Sequence, residues 1–168
     1  VRPEVGGIMQ KRLFTEGSEV KAGQLLYQIE ADTYQAGFDS AKAALAKAGG
    51  QGHAARLKAE RYQVLVRTKA VSEQEQIEMD ASWKQAVADV ASAKAALATA
   101  RINLEYTKVT APITGRIGKS TVTEGALVTA QQSAALATIQ QLDPLYVDVS
   151  QSSDELLSLK KEVAAGVA

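Results

Sequence analysis

Between Asp32 and about Leu104 the chain nearly stops using turn residues, and alanine, lysine, glutamate and glutamine, all good helix formers, take over. A 3-4 spacing counted from Tyr34 lands on Phe38, Ala41, Leu45, Ala48, Gly52, Ala55, Ala59, Tyr62 and Val66, each of them apolar or glycine. An uninterrupted register of that length is the seam of a coiled coil. Ala70-Val71-Ser72 breaks it, and Ser72 with Glu75 three residues later is a capping-box pattern that opens a second helix. There the spacing selects Ile77, Ala81, Lys84, Ala88, Ala91, Ala95, Ala98 and Ile102, with Lys84 a polar misfit. A stripe of Trp83, Val87, Val90, Leu97 and Leu104 runs beside that seam, so the register of this helix is less determined. Two helices of similar length joined by a short turn predict an antiparallel hairpin about 50 Å long. Asp32 and Thr33 are the expected N-caps of the first helix. Gly49, Gly50 and Gly52 fall inside that helix, each at a cost of about 1 kcal/mol relative to alanine. They predict a soft point and not a second turn, because the apolar register continues across them.

The flanks are written differently. Residues 2–30 place short apolar runs between Gly6, Gly7, Gly17 and Gly23, and residues 107–140 return to this style around Pro112, Gly115, Gly118 and Gly125. The two flanks repeat each other. At an offset of 108 residues, Gly7, Thr15, Glu16, Gly17 and Val20 match Gly115, Thr123, Glu124, Gly125 and Val128; after a two-residue insertion, Leu26 and Ile29 match Leu136 and Ile139. Either half alone exposes too much edge to be stable, so one small β domain is expected to be completed from both sides. The fold class is therefore α+β: a long antiparallel hairpin inserted between two halves of a β domain. The expected divisions are a first half-motif at 1–31, the hairpin at 32–105 with its tip near 66–73, and a second half-motif at 106–141. From 142 to 168, Asp143-Pro144 reads as a turn, Leu145, Val147 and Val149 as a strand, and Ser152 or Ser153 as the cap of a short helix reaching Val163. One strand and one helix do not make a domain, so this segment is expected to begin a third unit.

Composition narrows the chemistry. Nineteen basic and nineteen acidic side chains leave no net field to hold nucleic acid or an anionic membrane, so neither is expected as a main partner. The absence of cysteine excludes thiol catalysis and zinc–thiolate sites, and a single histidine, His53, makes a histidine cage or catalytic triad very hard to build. No run approaches 18 consecutive apolar residues. No catalytic residue, cofactor site or metal site is therefore expected.

The chain resembles the periplasmic adaptor proteins, or membrane fusion proteins, of tripartite RND-type multidrug efflux pumps, of the AcrA and MexA type. The resemblance is carried by Val1-Arg2-Pro3, the run from Lys11-Arg12-Leu13-Phe14 through Glu16-Gly17-Ser18, Leu26-Tyr27-Gln28-Ile29 and Ala100-Arg101-Ile102-Asn103-Leu104. It continues through Tyr106-Thr107-Lys108-Val109, Pro112-Ile113-Thr114-Gly115-Arg116-Ile117-Gly118, Val122-Thr123-Glu124-Gly125-Ala126-Leu127-Val128, Gln140-Gln141-Leu142-Asp143-Pro144 and Tyr146-Val147-Asp148-Val149. It implies that the β halves form a lipoyl-like domain and that the tail begins a β-barrel domain. It further implies a non-enzymatic role linking an inner-membrane RND drug/proton antiporter to an outer-membrane channel. Self-association as a hexamer in the assembled pump follows from the same resemblance, as does a periplasmic location with an N-terminal lipid tether outside this chain. Gly49-Gly50-Gln51-Gly52-His53 is where the chain departs most from that pattern. Other readings are an adaptor of an ABC-type exporter and a non-transport coiled-coil scaffold.

The resemblance also implies a site. Arg61, Leu65 and Ser72 fit the R-x3-L-x6-S pattern with which this family meets the outer-membrane channel. Leu65 and Val71 would then be apolar groups exposed at a turn, and Arg61 would offer charge-assisted bonds to a partner's helical tips. The plainer reading is a surface arginine, a hairpin-closing leucine and an N-cap serine. A swinging-arm carrier would need a lysine within Asp-Lys-Ala or Met-Lys-Met at a tight turn, and neither tripeptide occurs. His53 reads as a solvated surface residue, or alternatively as a pH-responsive flex point beside the glycines. Glu30, Asp32 and Asp39 read as caps and surface charge.

Overall fold

The computed structural model describes residues 1–142 and, beyond them, only Leu157 and 160–163. The elements in chain order are β1 (Gly7–Arg12), β2 (Glu19–Val20), β3 (Leu25–Ile29), α1 (Asp32–Arg67), α2 (Glu73–Tyr106), β4 (Lys108–Thr110), β5 (Gly115–Ile117), β6 (Leu127–Val128) and β7 (Ile139–Gln140). The strand expected at Leu145–Val149 lies outside the described residues, as does most of the short helix expected after it; Leu157 and 160–163 are helical.

The alanine-rich stretch forms the antiparallel hairpin, whose 36-residue α1 runs about 54 Å. All ten seam positions expected on α1 face inward: Ala59 is buried and the other nine are half-buried. The seam expected on α2 is wrong. Ile77, Ala81, Lys84, Ala88, Ala91, Ala95, Ala98 and Ile102 are all exposed. The helix instead turns Met79, Ala86, Val90, Ala93, Leu97, Ala100 and Leu104 toward α1, with Trp83, 37% exposed, completing the 3-4 register. Shifting a heptad register by two residues rotates it by roughly 200°, so the expected seam became the solvent face. Alanines on both faces hid the difference, and Lys84 was the residue that marked it. The stripe noted beside that seam supplies Trp83, Val90, Leu97 and Leu104, while Val87 stays exposed.

Helix α1 begins at Asp32 itself. Ala31 occupies the N-cap position without a side-chain cap, so neither Asp32 nor Thr33 caps the helix. The Asp32 carboxylate lies in the first turn, where it complements the positive end of the helix dipole.

The β domain is built by exchange between the repeats. One sheet runs β4-β3-β1-β6 and the other β2-β5-β7, so each contains strands from both flanks. Gly7 pairs with Val128 and Ile8 with Leu127 in one, while Val20 pairs with Gly115 and Glu19 with Arg116 in the other. Adding 108 to the lower numbers and subtracting it from the higher ones turns the first register into the second. The turns obey the same symmetry. Gly17 and Gly125 take φ of 78° and 86°, a left-handed backbone that glycine adopts without a Cβ clash. The Gly17 N–H donates to the Ile117 carbonyl, and the Gly125 N–H donates to the Met9 carbonyl. The Glu16 and Glu124 carboxylates accept from the backbone N–H groups of Ser120 and Arg12, respectively. Met9, Val20 and Ile29 from one flank close the core with Ile117, Val128 and Leu136 from the other.

Candidate docking surface at the hairpin tip

A rod useful for reaching a partner must be held firmly at its base, and this one is tied at both strands of entry and exit. Tyr34 in the first turn of α1 donates its hydroxyl hydrogen to the Gly6 carbonyl at 2.7 Å. Thr107, fully buried after α2, donates its hydroxyl to the Leu104 carbonyl at 2.7 Å, and its own carbonyl accepts from the Ile29 N–H at 2.8 Å. Both helices thus leave the sheet containing β3 and β4 as one unit.

At the far end, α1 stops through a two-bond C-cap. The Ala70 N–H reaches the Leu65 carbonyl and the Lys69 N–H reaches the Val66 carbonyl, both at 3.0 Å, which is the Schellman arrangement. Its left-handed position is normally glycine, but here Lys69 holds φ of 56°. The chain then enters α2 through Ser72, whose Oγ accepts from the Glu75 N–H at 3.2 Å. The Ser72 N–H and hydroxyl donate to Glu75 Oε2, each at 2.9 Å. Those two bonds, the backbone one foremost, hold the Glu75 carboxyl below its ordinary value.

This geometry distributes the three candidate residues unequally. Arg61 is exposed and makes no ion pair among the described residues, whereas Arg56 and Arg101 lie near Glu60 and Glu105 one turn away. Leu65 is half-buried, as is Val71, so neither is the freely exposed apolar group expected. The Leu65 carbonyl also anchors the cap, accepting from the Thr68 hydroxyl at 2.9 Å. Ser72 spends its hydroxyl on the capping box. Val64, 61% exposed, is the large apolar residue that the sequence reading missed. Its signal was an apolar side chain outside the 3-4 register, one residue before Leu65. His53 is exposed on α1.

The family described as RND MFP, barrel-sandwich hybrid domain, matches residues 1–140. The chain belongs to this family of membrane fusion proteins. It is 59% identical over 166 residues to the multidrug efflux pump subunit AcrA of Escherichia coli K12, covering 99% of this chain and 42% of AcrA. It is 54% identical over 166 residues to the multidrug resistance protein MexA of Pseudomonas aeruginosa, covering 99% of this chain and 40% of MexA. Among solved structures, a putative efflux transporter from Bacteroides eggerthii superposes with a TM-score of 0.61 at 25% identity, over 84% of this chain and 38% of that one. The chain therefore spans less than half the length of the curated relatives it matches. The architecture seen here, a helical hairpin set into a two-part β domain, is that of membrane fusion proteins.

Proposed function

We propose that this chain is the spacer and docking part of a periplasmic adaptor that links an inner-membrane RND drug/proton antiporter to an outer-membrane channel for multidrug efflux. The observation that carries the reading is a long rod fixed at its base through Tyr34 and Thr107, with Arg61, exposed and without an ion pair among the described residues, toward its free end. A rod of two helices with an apolar seam resists bending, so it sets a distance instead of catalysing a reaction. In this reading Arg61 supplies charge-assisted donors to carbonyl and carboxylate groups on the channel's helical tips. Leu65 and Ser72 hold the turn that presents it, and 142–168 begins a β-barrel domain. Subunits pack side by side as a hexamer in the assembled pump, in the periplasm, tethered by a lipid on residues outside this chain. The test is drug resistance in cells carrying Arg61→Asp, with adaptor level and helix content measured in parallel. Loss of resistance with a folded adaptor is expected, and crosslinks from position 64 should capture the channel. Full resistance in the Arg61→Asp strain refutes docking through the tip.

A further inference from the structure

Midway along the rod, one face of the α1–α2 pair carries an open groove of about 440 Å³, within the size range of small-molecule sites. Gly49 and Gly52 form one wall, and Val87, Val90 and Ala91 form the other. Gly52 has a packing reason, because a Cβ there would stand 3.3 Å from Val90 Cγ2. Gly49 has none: nothing lies within 4 Å of the place its Cβ would take. The groove is rimmed by His53, Arg56 and Lys94, and no carboxylate lines it. Arg56 has Glu60 at 3.6 Å, a long and exposed contact, while Lys94 and His53 make no ion pair among the described residues.

We propose that this groove binds a small organic anion with an apolar body. The body would lie over Val87, Val90 and Ala91 in the space left by Gly49, with its carboxylate, sulfonate or phosphate facing Arg56 and Lys94. Charge decides the class. A cation would meet the basic rim, and a neutral apolar molecule would gain nothing from it. A second copy of the chain fits less well. By heptad position its opposite broad face carries Lys47 and Lys58 against a single Asp89 at this level, and Asp89 already accepts from Gln85 at 3.0 Å.

The proposal rests on the groove alone and is independent of tip docking. Fluorescence titration of the purified protein with 8-anilinonaphthalene-1-sulfonate, followed by competition with decanoate and decanol, tests it. One saturable site is expected, displaced by decanoate and far less by decanol. Affinity should fall about tenfold or more, a change easily read from the titration, in Arg56→Glu/Lys94→Glu and separately in Gly49→Leu. The second variant fills the groove from a position with open space, and circular dichroism checks its helix content. Wild-type affinity in either variant, equal displacement by decanol, or no saturable binding overturns the proposal.

Discussion

Replacing Ser72 by alanine tests whether the tip is held by its cap or by its packing. The substitution removes the acceptor of the Glu75 N–H and the hydroxyl donor to Glu75 Oε2, while the residue-72 N–H can still reach the carboxylate. N-cap losses of this kind cost about 1 kcal/mol. A change of that size raises the local opening equilibrium about fivefold. The loss is local, since few contacts tie the tip to anything but itself, so hydrogen exchange at the amides of 73–76 is a better reader than a global melting temperature. Exchange there should accelerate about fivefold in Ser72→Ala and return close to wild type in Ser72→Asn, because asparagine caps as well as serine. The pH dependence has a definite sign. A carboxyl held below its unfolded value contributes stability above that value and loses it as pH falls through the folded one. Glu75 is such a group, so the tip should loosen on acidification, and in Ser72→Ala the Glu75 titration should move up toward that of an ordinary carboxyl. Unchanged exchange at 73–76 in Ser72→Ala would refute the cap as the source of tip order. If Ser72 serves docking only through this cap, Ser72→Asn cells keep their resistance.

The α2 register predicts a contrast between two alanines two residues apart. Ala93→Glu, at a half-buried seam position, should cost about 1–3 kcal/mol in urea unfolding, whereas exposed Ala95→Glu should stay within about 0.5 kcal/mol; the reverse order would reinstate the other seam. At Gly115 a Cβ would fall 2.3 Å from the Gln140 carbonyl oxygen, which is backbone and cannot swing aside. Gly115→Ala should therefore cost about 1–3 kcal/mol and weaken β7 pairing, read as a lowered urea midpoint and faster exchange at 139–140. Deleting one heptad from each helix, 49–55 with 87–93, shortens the rod by about 10 Å while keeping its seam. The β domain should keep its stability and the cells should lose resistance, whereas undiminished resistance would mean that rod length is not what the adaptor supplies.

Much of this structure could be read from residue order, and the places where reading failed share one cause. The α1 seam was legible because large residues, Tyr34, Phe38, Leu45, Tyr62 and Val66, mark one face among alanines. In α2 the marking is weaker. Ile77 and Ile102 are large and apolar yet stand in solvent, 61% and 46% exposed, so residue size pointed to the wrong face. At the tip, Ser72 and Glu75 announced the box through their spacing, but the stop before it carried no glycine. Lys69 in a left-handed conformation has no sequence signature, because it is the surrounding hydrogen bonds that impose it. The half-burial of Leu65 was hidden for a related reason: it depends on how the turn folds back, not on any pattern along α1. The exchange of β2 and β6 between sheets was half legible. The repeat showed that two halves must pair, while the choice of partner strand follows from the registers across the sequence gap.

That exchange explains why a 78-residue insertion, 30–107, can sit inside so small a β domain. Each sheet needs strands from both flanks, so the domain cannot close until Ile29 and Thr107 approach each other. For a flexible insertion the entropy of closure grows only logarithmically with length, but it must still be met before any long-range strand pair forms. A helical hairpin removes most of that burden. Its contacts are local about the Ser72 turn, and a completed seam makes Asp32 and Tyr106 neighbours. The same connection serves the rod in reverse: because α1 leaves β3 and α2 enters β4 of one sheet, a sideways load on the tip is shared between the Tyr34 and Thr107 bonds at its base. A base tied at both helices and a β domain completed from both flanks are thus two results of one topological choice, the insertion of the hairpin between β3 and β4.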